Sequence, residues 1–182
     1  DIAFSGNGEP TATPEFEAIV KIVLEKIDKF QISKTIKLRL ITNGSYLNKK
    51  NVQQGLELMK AVNHEVWFKI DHVNPKDAKK INRINLSIAS LRKNLKNSLS
   101  ISPTIVQTCL LKINRELPSN NFVNEYIKFL EPYASNLRAI HLYSMVRPSQ
   151  QKTDLQIEAL DKSELQIIAD KINVLKTKIE CY

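Results

Sequence analysis

The stretch DIAFSGNGEPT, residues 1–11, holds two of the four glycines of this 182-residue chain. Its apolar start, Ile2-Ala3-Phe4, has the length of a short strand, and the residues after Phe4 are typical of a turn. Glycine adopts backbone angles closed to other residues, and without a Cβ atom it lets a ligand approach the main chain closely. From Gly6 and Gly8 alone, a plain strand-to-helix turn and a ligand-binding turn both remain open.

The composition is that of an ordinary globular protein, with 42% hydrophobic and 25% charged residues. We expect a single domain over residues 1–182. No apolar run reaches the roughly 18 residues needed to span a bilayer, and no signal peptide is recognisable, so we expect no membrane partner and a cytoplasmic location. Cys109 and Cys181 are the only cysteines. Their spacing predicts neither a disulfide framework nor a metal site.

The net charge of +8 is concentrated in residues 76–115, where nine Lys or Arg stand against the single acid Asp77. A basic surface of this kind attracts RNA or an anionic substrate, and the binding is sensitive to salt. A solvated helix face is the alternative, because no aromatic residues interleave with the basic ones as in known RNA-binding motifs.

Strand-like and helix-like segments alternate along the chain about every thirty residues. Apolar runs predict strands at 2–4, 36–41, 65–71, 105–111 and 137–143. Helical spacing predicts helices at 16–27, 52–62, 75–99 with one break, 122–130 and 165–175. This alternation predicts an α/β fold with a mainly parallel sheet covered by helices.

Polar residues follow the carboxyl ends of these predicted strands, where ligands bind in folds of this class. Each of them also has a structural interpretation. Glu9 can cap the next helix, Asn43 and Gly44 can simply form a turn, and Asp71 can pair with Lys69.

Taken in order, the strand ends resemble those of the radical S-adenosylmethionine superfamily, in its branch of iron–sulfur oxidoreductases. FSGNGEPT at 4–11 resembles the GGEP-type motif of the second strand. Four further segments of this chain resemble the superfamily's third to sixth strand ends. In chain order they are ITNGS (41–45), VWFKID (66–71), IVQTCLL (105–111) and IHLYSMVRP (140–148). The resemblance therefore covers most of the chain.

The resemblance implies a partial TIM-like (βα) barrel of five to six mainly parallel strands with outer helices. It also implies a 4Fe–4S cluster that cleaves S-adenosylmethionine to a 5′-deoxyadenosyl radical, which abstracts hydrogen from a substrate. The partners would be this small-molecule cofactor, an electron donor and an unknown substrate, which could be an anionic molecule, RNA or protein. The cofactor-binding candidates are Ser5, Gly6, Asn7, Gly8, Glu9, Asn43, Lys69, Asp71, Gln107, Tyr143 and Arg147.

Within this set, the glycine-rich segment would meet the methionine amino group through backbone groups. The candidates for contact with the methionine carboxylate, the ribose or the substrate would be Asn43, Lys69, Asp71 and Gln107. Tyr143 and Arg147 would flank the adenosine or substrate side.

One departure from the family is large, because the chain has no CxxxCxxC motif to hold the cluster. Cys109 and Cys181 cannot replace three thiolates. We therefore expect a fragment whose cluster ligands lie upstream of residue 1 and which is inactive alone. The alternative is a non-enzymatic α/β domain whose basic face binds RNA or protein. A hydrolase or phosphate-binding enzyme is disfavoured, since GxSxG and P-loop patterns are absent.

Overall fold

The computed structural model describes residues 1–6, 8–146 and 155–182. The chain divides into two compact units. The first unit comprises Asp1–Lys69 with Ala89–Ile105, and the second comprises Ile70–Ile88 with Val106–Tyr182. That the whole chain is one domain stays a prediction.

The described residues form eight strands and six helices, with further short helical turns. The strands are β1 (Ile2–Phe4), β2 (Leu38–Thr42), β3 (His64–Lys69), β4 (Thr104–Cys109), β5 (Leu111–Ile113), β6 (Ala139–Tyr143), β7 (Ile157–Ala159) and β8 (Ile179–Cys181). The helices are α1 (Phe16–Lys29), α2 (Lys50–Met59), α3 (Pro75–Asp77), α4 (Ile88–Ile101), α5 (Asn120–Leu130) and α6 (Lys162–Ile172). A π-helix, Ala78–Asn82, continues α3, and 3₁₀-helices lie at Pro10–Ala12, Glu131–Asn136 and Asn173–Leu175.

Six strands form one sheet in the order β1-β2-β3-β4-β6-β8, and β5 pairs antiparallel with β7. The pairs β1–β2, β2–β3 and β6–β8 are parallel. The predicted fold class is thereby confirmed: an α/β fold of the partial TIM-like barrel type, with mainly parallel strands and flanking helices.

Helix ends follow the capping chemistry of the sequence. In α1, Glu17 lies in the first turn and Lys26 and Lys29 in the last, which complements the helix dipole. In α6, Asp161 and Glu164 form a reciprocal capping box. None of the helices in the described parts of the chain has the length and apolar character that crossing a membrane requires.

In the first unit, β2 alternates buried and half-buried residues, so that Leu38, Leu40 and Thr42 share one face. On the other face, the buried carboxylate of Glu65 accepts from Arg39 Nε at 2.6 Å and from Trp67 Nε1 at 2.8 Å. Burial alone would raise the pKa of Glu65, but the hydrogen bonds from Arg39, Trp67 and Lys37 together hold it below its usual value. The Arg39–Glu65 contact thus joins side chains of the adjacent strands β2 and β3.

In the second unit, β6 is buried along most of its length and pairs with β8 in the register Ile140↔Ile179. The carboxylate of Glu180 accepts hydrogen bonds from Lys178 and Tyr182, and His141 lies close by. These neighbours lower the pKa of Glu180 to about 2. The sequence did not predict β7 or β8, and the predicted strand at 105–111 runs through β4 into the first residue of β5. The two strands are separated at Leu110, whose amide donates to the Tyr143 carbonyl oxygen at 2.8 Å.

Candidate cofactor-binding rim

Glu9 connects the turn after β1 to the turn after β2. Its Oε1 atom accepts hydrogen bonds from the amide and hydroxyl of Thr11 and from the hydroxyl of Thr42. Its Oε2 atom accepts from the Asn43 amide at 2.7 Å. Each carboxylate oxygen offers about two acceptor positions, so Oε2, which has one donor among the described residues, retains capacity for a further donor. Glu9 also caps the short helix Pro10–Ala12, which confirms its structural interpretation as a cap.

The turn after β2 is held by its own polar atoms. Thr42 Oγ1 accepts from the Gly44 amide at 2.9 Å, and Asn43 Oδ1 accepts from the Ser45 amide at 2.9 Å. Gly44 has a φ of +78°, and a Cβ atom there would overlap the ring of Phe68. The turn-forming interpretation of Asn43 and Gly44 is therefore confirmed, and the exposed Asn43 side chain is also part of that turn.

The turn after β1 is different, because no described residue packs against its glycines. Ser5, Gly6 and Gly8 are exposed, and a Cβ atom at Gly6 or Gly8 would meet no described atom within 4 Å. Gly6 does not have a φ in the left-handed region, where other residues are strained. The open space leaves the main chain accessible to a ligand. Asn7 lies outside the described residues.

Three candidates of the second unit lie at successive strand ends. Asp71 Oδ1 accepts from the Cys109 amide at 3.0 Å. The Gln107 carbonyl accepts from the Ile70 amide at 2.9 Å, and the Tyr143 carbonyl accepts from the Leu110 amide at 2.8 Å. Of the two remaining candidates, Lys69 ends β3 in the first unit and is half-buried, whereas Arg147 lies outside the described residues.

The hydroxyls that support these strand ends belong to polar residues that the sequence places there, but the sequence predicts no role for them. Thr42 is one, and Ser144 is another, since its Oγ donates to the Leu110 carbonyl at 2.6 Å and accepts from the Leu160 amide at 2.9 Å. Thr108 Oγ1 donates to the Ile70 carbonyl and pairs with the Tyr126 hydroxyl, whose pKa is raised by burial. A hydroxyl residue at the end of a strand, just before a turn, was the available signal.

The described residues do not fit a 4Fe–4S cluster. They contain no group of three His, Cys, Asp or Glu side chains placed to hold a metal ion. Cys109 and Cys181 form no disulfide with each other, and burial raises the pKa of the Cys181 thiol. Two thiols cannot supply the three thiolates that such a cluster needs. The open glycine turn and the spare acceptor position of Glu9, by contrast, fit the amino-acid end of S-adenosylmethionine.

Part of the basic segment 76–115 is neutralised within the protein. Lys112 Nζ lies 2.9 Å from Glu164 Oε1, and Arg115 Nε lies 3.9 Å from Glu158 Oε1. Other cations of the segment, including Lys79, Lys80, Lys93 and Lys96, are exposed.

Comparison with known proteins supports the fold. No family model and no curated protein matches the sequence. A crystallised domain of pyruvate-formate lyase-activating enzyme from Bacteroides vulgatus ATCC 8482 is similar in structure, with a TM-score of 0.68 and 14% sequence identity. The similarity covers 100% of this chain and 98% of that one. At this identity, the likeness establishes a shared fold.

Proposed function

We propose that this chain is the S-adenosylmethionine-binding part of a radical iron–sulfur oxidoreductase. Two independent lines support the proposal: the ordered resemblance of the strand-end motifs, and the fold shared with a domain of an activating enzyme from the radical S-adenosylmethionine family. The observation that carries it is the open glycine turn beside the Glu9 carboxylate.

Glu9 would hold the amino group of the cofactor. Its carboxylate is oriented by four internal donors, so it needs no rearrangement to accept one more hydrogen bond at Oε2. Gly6 and Gly8 would let the same ammonium group approach backbone carbonyls. When bound beside a reduced cluster, the cofactor supplies a carbon radical that abstracts hydrogen. The thiolates of that cluster would have to come from outside this sequence, and an electron donor would be required.

Titration with S-adenosylmethionine tests the proposal on the chain itself. Gly8→Val adds a branched Cβ in open space, so we expect the melting temperature to stay unchanged and the affinity to fall at least about tenfold. Isothermal titration calorimetry and thermal melting measure the two effects.

Ala61→Val is the matched control, because Ala61 is exposed in the same unit and belongs to no candidate site. Gly55 is unsuitable, since a Cβ atom there would lie 2.7 Å from the Phe16 ring. Equal affinity of Gly8→Val and the parent would contradict cofactor binding at this turn.

The alternative function, RNA or protein binding through the basic segment, rests on charge alone. An anionic partner or substrate remains compatible with the exposed lysines at 79, 80, 93 and 96. Internal pairing of Lys112 with Glu164 reduces the charge available to such a partner, whereas Arg115 is 79% exposed and lies 3.9 Å from Glu158. Binding of S-adenosylmethionine is supported by the open glycine turn and the oriented Glu9 carboxylate, and we therefore favour it over RNA or protein binding.

A further inference from the structure

The solvent-facing side of α1 carries large apolar residues. Ile19 is 39% exposed, Ile22 is 54% exposed, and Phe30, at the C-cap of the helix, is 67% exposed. The buried side of the same helix is already engaged, since Phe16 lies against Gly55 of α2. Clusters of exposed apolar side chains commonly mark interaction sites. Helix α1 therefore has a second apolar face besides the one that it buries within the first unit.

The two isoleucines belong to a regular row of exposed residues. Five exposed residues follow one another at alternating intervals of four and three positions: Glu15, Ile19, Ile22, Lys26 and Lys29. We call these five residues the α1 seam. This alternation places side chains along one side of a helix, and it is the spacing by which two helices pair in a coiled coil. The seam therefore suits contact with another α-helix.

The two ends of the α1 seam carry opposite charges. Glu15 lies at the N-terminal end, and Lys26 and Lys29 lie in the last turn. None of these three side chains forms an ion pair with another described residue. If the seam meets an identical seam, an antiparallel arrangement brings the acidic end of one beside the basic end of the other. A parallel arrangement would instead oppose like charges, so the charge pattern favours the antiparallel pair.

The geometry points to a second copy of this chain as the partner of the α1 seam, in a two-fold symmetric pair of antiparallel helices. The two-fold axis passes midway between Ile19 and Ile22, so that Ile19 packs against the partner's Ile22 and the reverse contact repeats it. Glu15 then lies beside the partner's Lys26 at each end of the apolar centre. The inference goes beyond the proposed function and does not rest on it.

The size of the seam sets the strength of the dimer. Helix α1 has 14 residues and is therefore roughly 21 Å long. Stable dimers bury roughly 1,200 Å² or more in total, which is a large area for one pair of helices of this length. We therefore expect a reversible dimer whose population rises with concentration. The apolar contacts supply its affinity, whereas the exposed ion pairs mainly fix its orientation.

Analytical ultracentrifugation of the full chain tests the oligomeric state. The mean mass should rise from 20.8 kDa toward twice that value as the concentration increases. Ile22→Gln should raise the dissociation constant of the dimer at least about tenfold, because the symmetric dimer loses the contact twice. The matched control is Ile167→Gln, since Ile167 is 46% exposed on α6 and does not belong to the seam. A chain that stays monomeric at every concentration, or the same effect of both variants, overturns the inference.

Charge reversal tests the antiparallel orientation. Glu15→Lys and Lys26→Glu each oppose like charges across the pair, so each alone should weaken the dimer several-fold at low salt. The double variant Glu15→Lys/Lys26→Glu should restore the dissociation constant of the parent, because opposite charges face each other again. Loss of helix stability cannot imitate this rescue, since both substitutions oppose the helix dipole and the double variant is the least favourable of the three. Thermal melting monitors folding in all of them. A double variant as weak as the single ones contradicts the antiparallel pair.

Discussion

Two glycine turns follow neighbouring strands of the first unit, and the structure gives them opposite roles. Gly44, after β2, has a positive φ and lies against the Phe68 ring, so only glycine fits there. At Gly6 and Gly8, after β1, no described atom lies within 4 Å of where a Cβ would be. The same residue type thus satisfies packing in one turn and leaves access in the other. Glu9 links the two turns by accepting hydrogen bonds from Thr42 and Asn43.

The largest effect is expected at the packed turn. Gly44→Ala forces a side chain into the left-handed region, at roughly 1–2 kcal/mol, and overpacks it against Phe68, at roughly 1–3 kcal/mol. We expect the free energy of unfolding to fall by about 2–4 kcal/mol in urea denaturation. A loss below about 1 kcal/mol would show that this turn adapts and would remove the contrast between the turns.

A smaller effect is expected at the link between the turns. Thr42→Val keeps the shape of the side chain but leaves the buried Gly44 amide without its acceptor and Glu9 without one donor. The expected loss is about 1–3 kcal/mol of unfolding free energy, together with weaker cofactor binding.

Thr35→Val serves as the control for that substitution, because the Thr35 hydroxyl is exposed and bonds only the Ile32 carbonyl among the contacts described. It should change stability by less than about 0.5 kcal/mol. If the two valine variants have the same stability, the Thr42 hydroxyl does not link the turns.

The smallest effect is expected at the open turn. Gly6→Ala should leave the unfolding free energy unchanged or raise it by up to about 1 kcal/mol, since alanine restricts the unfolded chain and no described atom lies within 4 Å of the added Cβ. Chemical denaturation beside Gly44→Ala makes the comparison direct. A clear destabilisation of Gly6→Ala would mean that the first turn is also held by packing.

Sequence periodicity predicted the first four strands and β6, and it predicted one break between Pro75 and Leu99. The break lies after the π-helix, where Arg83 has a φ of +57° and ends the helical turns before α4 begins. The predicted ends of the strands differ from those in the structure. The predicted strand at 36–41 starts at Leu38, because the Ile36 amide bonds back to the Ile32 carbonyl in a turn. The short strands β7 and β8 carry too few residues for alternation to be recognised.

The candidate site was predictable in its components and not in its connections. The sequence indicated Glu9, Asn43 and Asp71 because polar residues after parallel strands gather at one edge of a sheet. It could not indicate that Glu9 bonds Thr42, since that contact joins residues 33 positions apart. The sequence predicted a strand that includes Asp71, whereas in the structure β3 ends at Lys69. It could not indicate that the Asp71 carboxylate accepts from the Cys109 amide.

The sequence by itself determined the alternation of strands and helices, the α/β class and the presence of only two cysteines, because these depend on local periodicity and composition. Only the tertiary structure decided which glycine is required by packing, which carboxylate is already engaged and which residues line a cleft in the second unit. This cleft joins residues near 71–81 to residues near 109–122. Burial and hydrogen-bond partners of that kind arise when distant segments meet, and no local pattern encodes them.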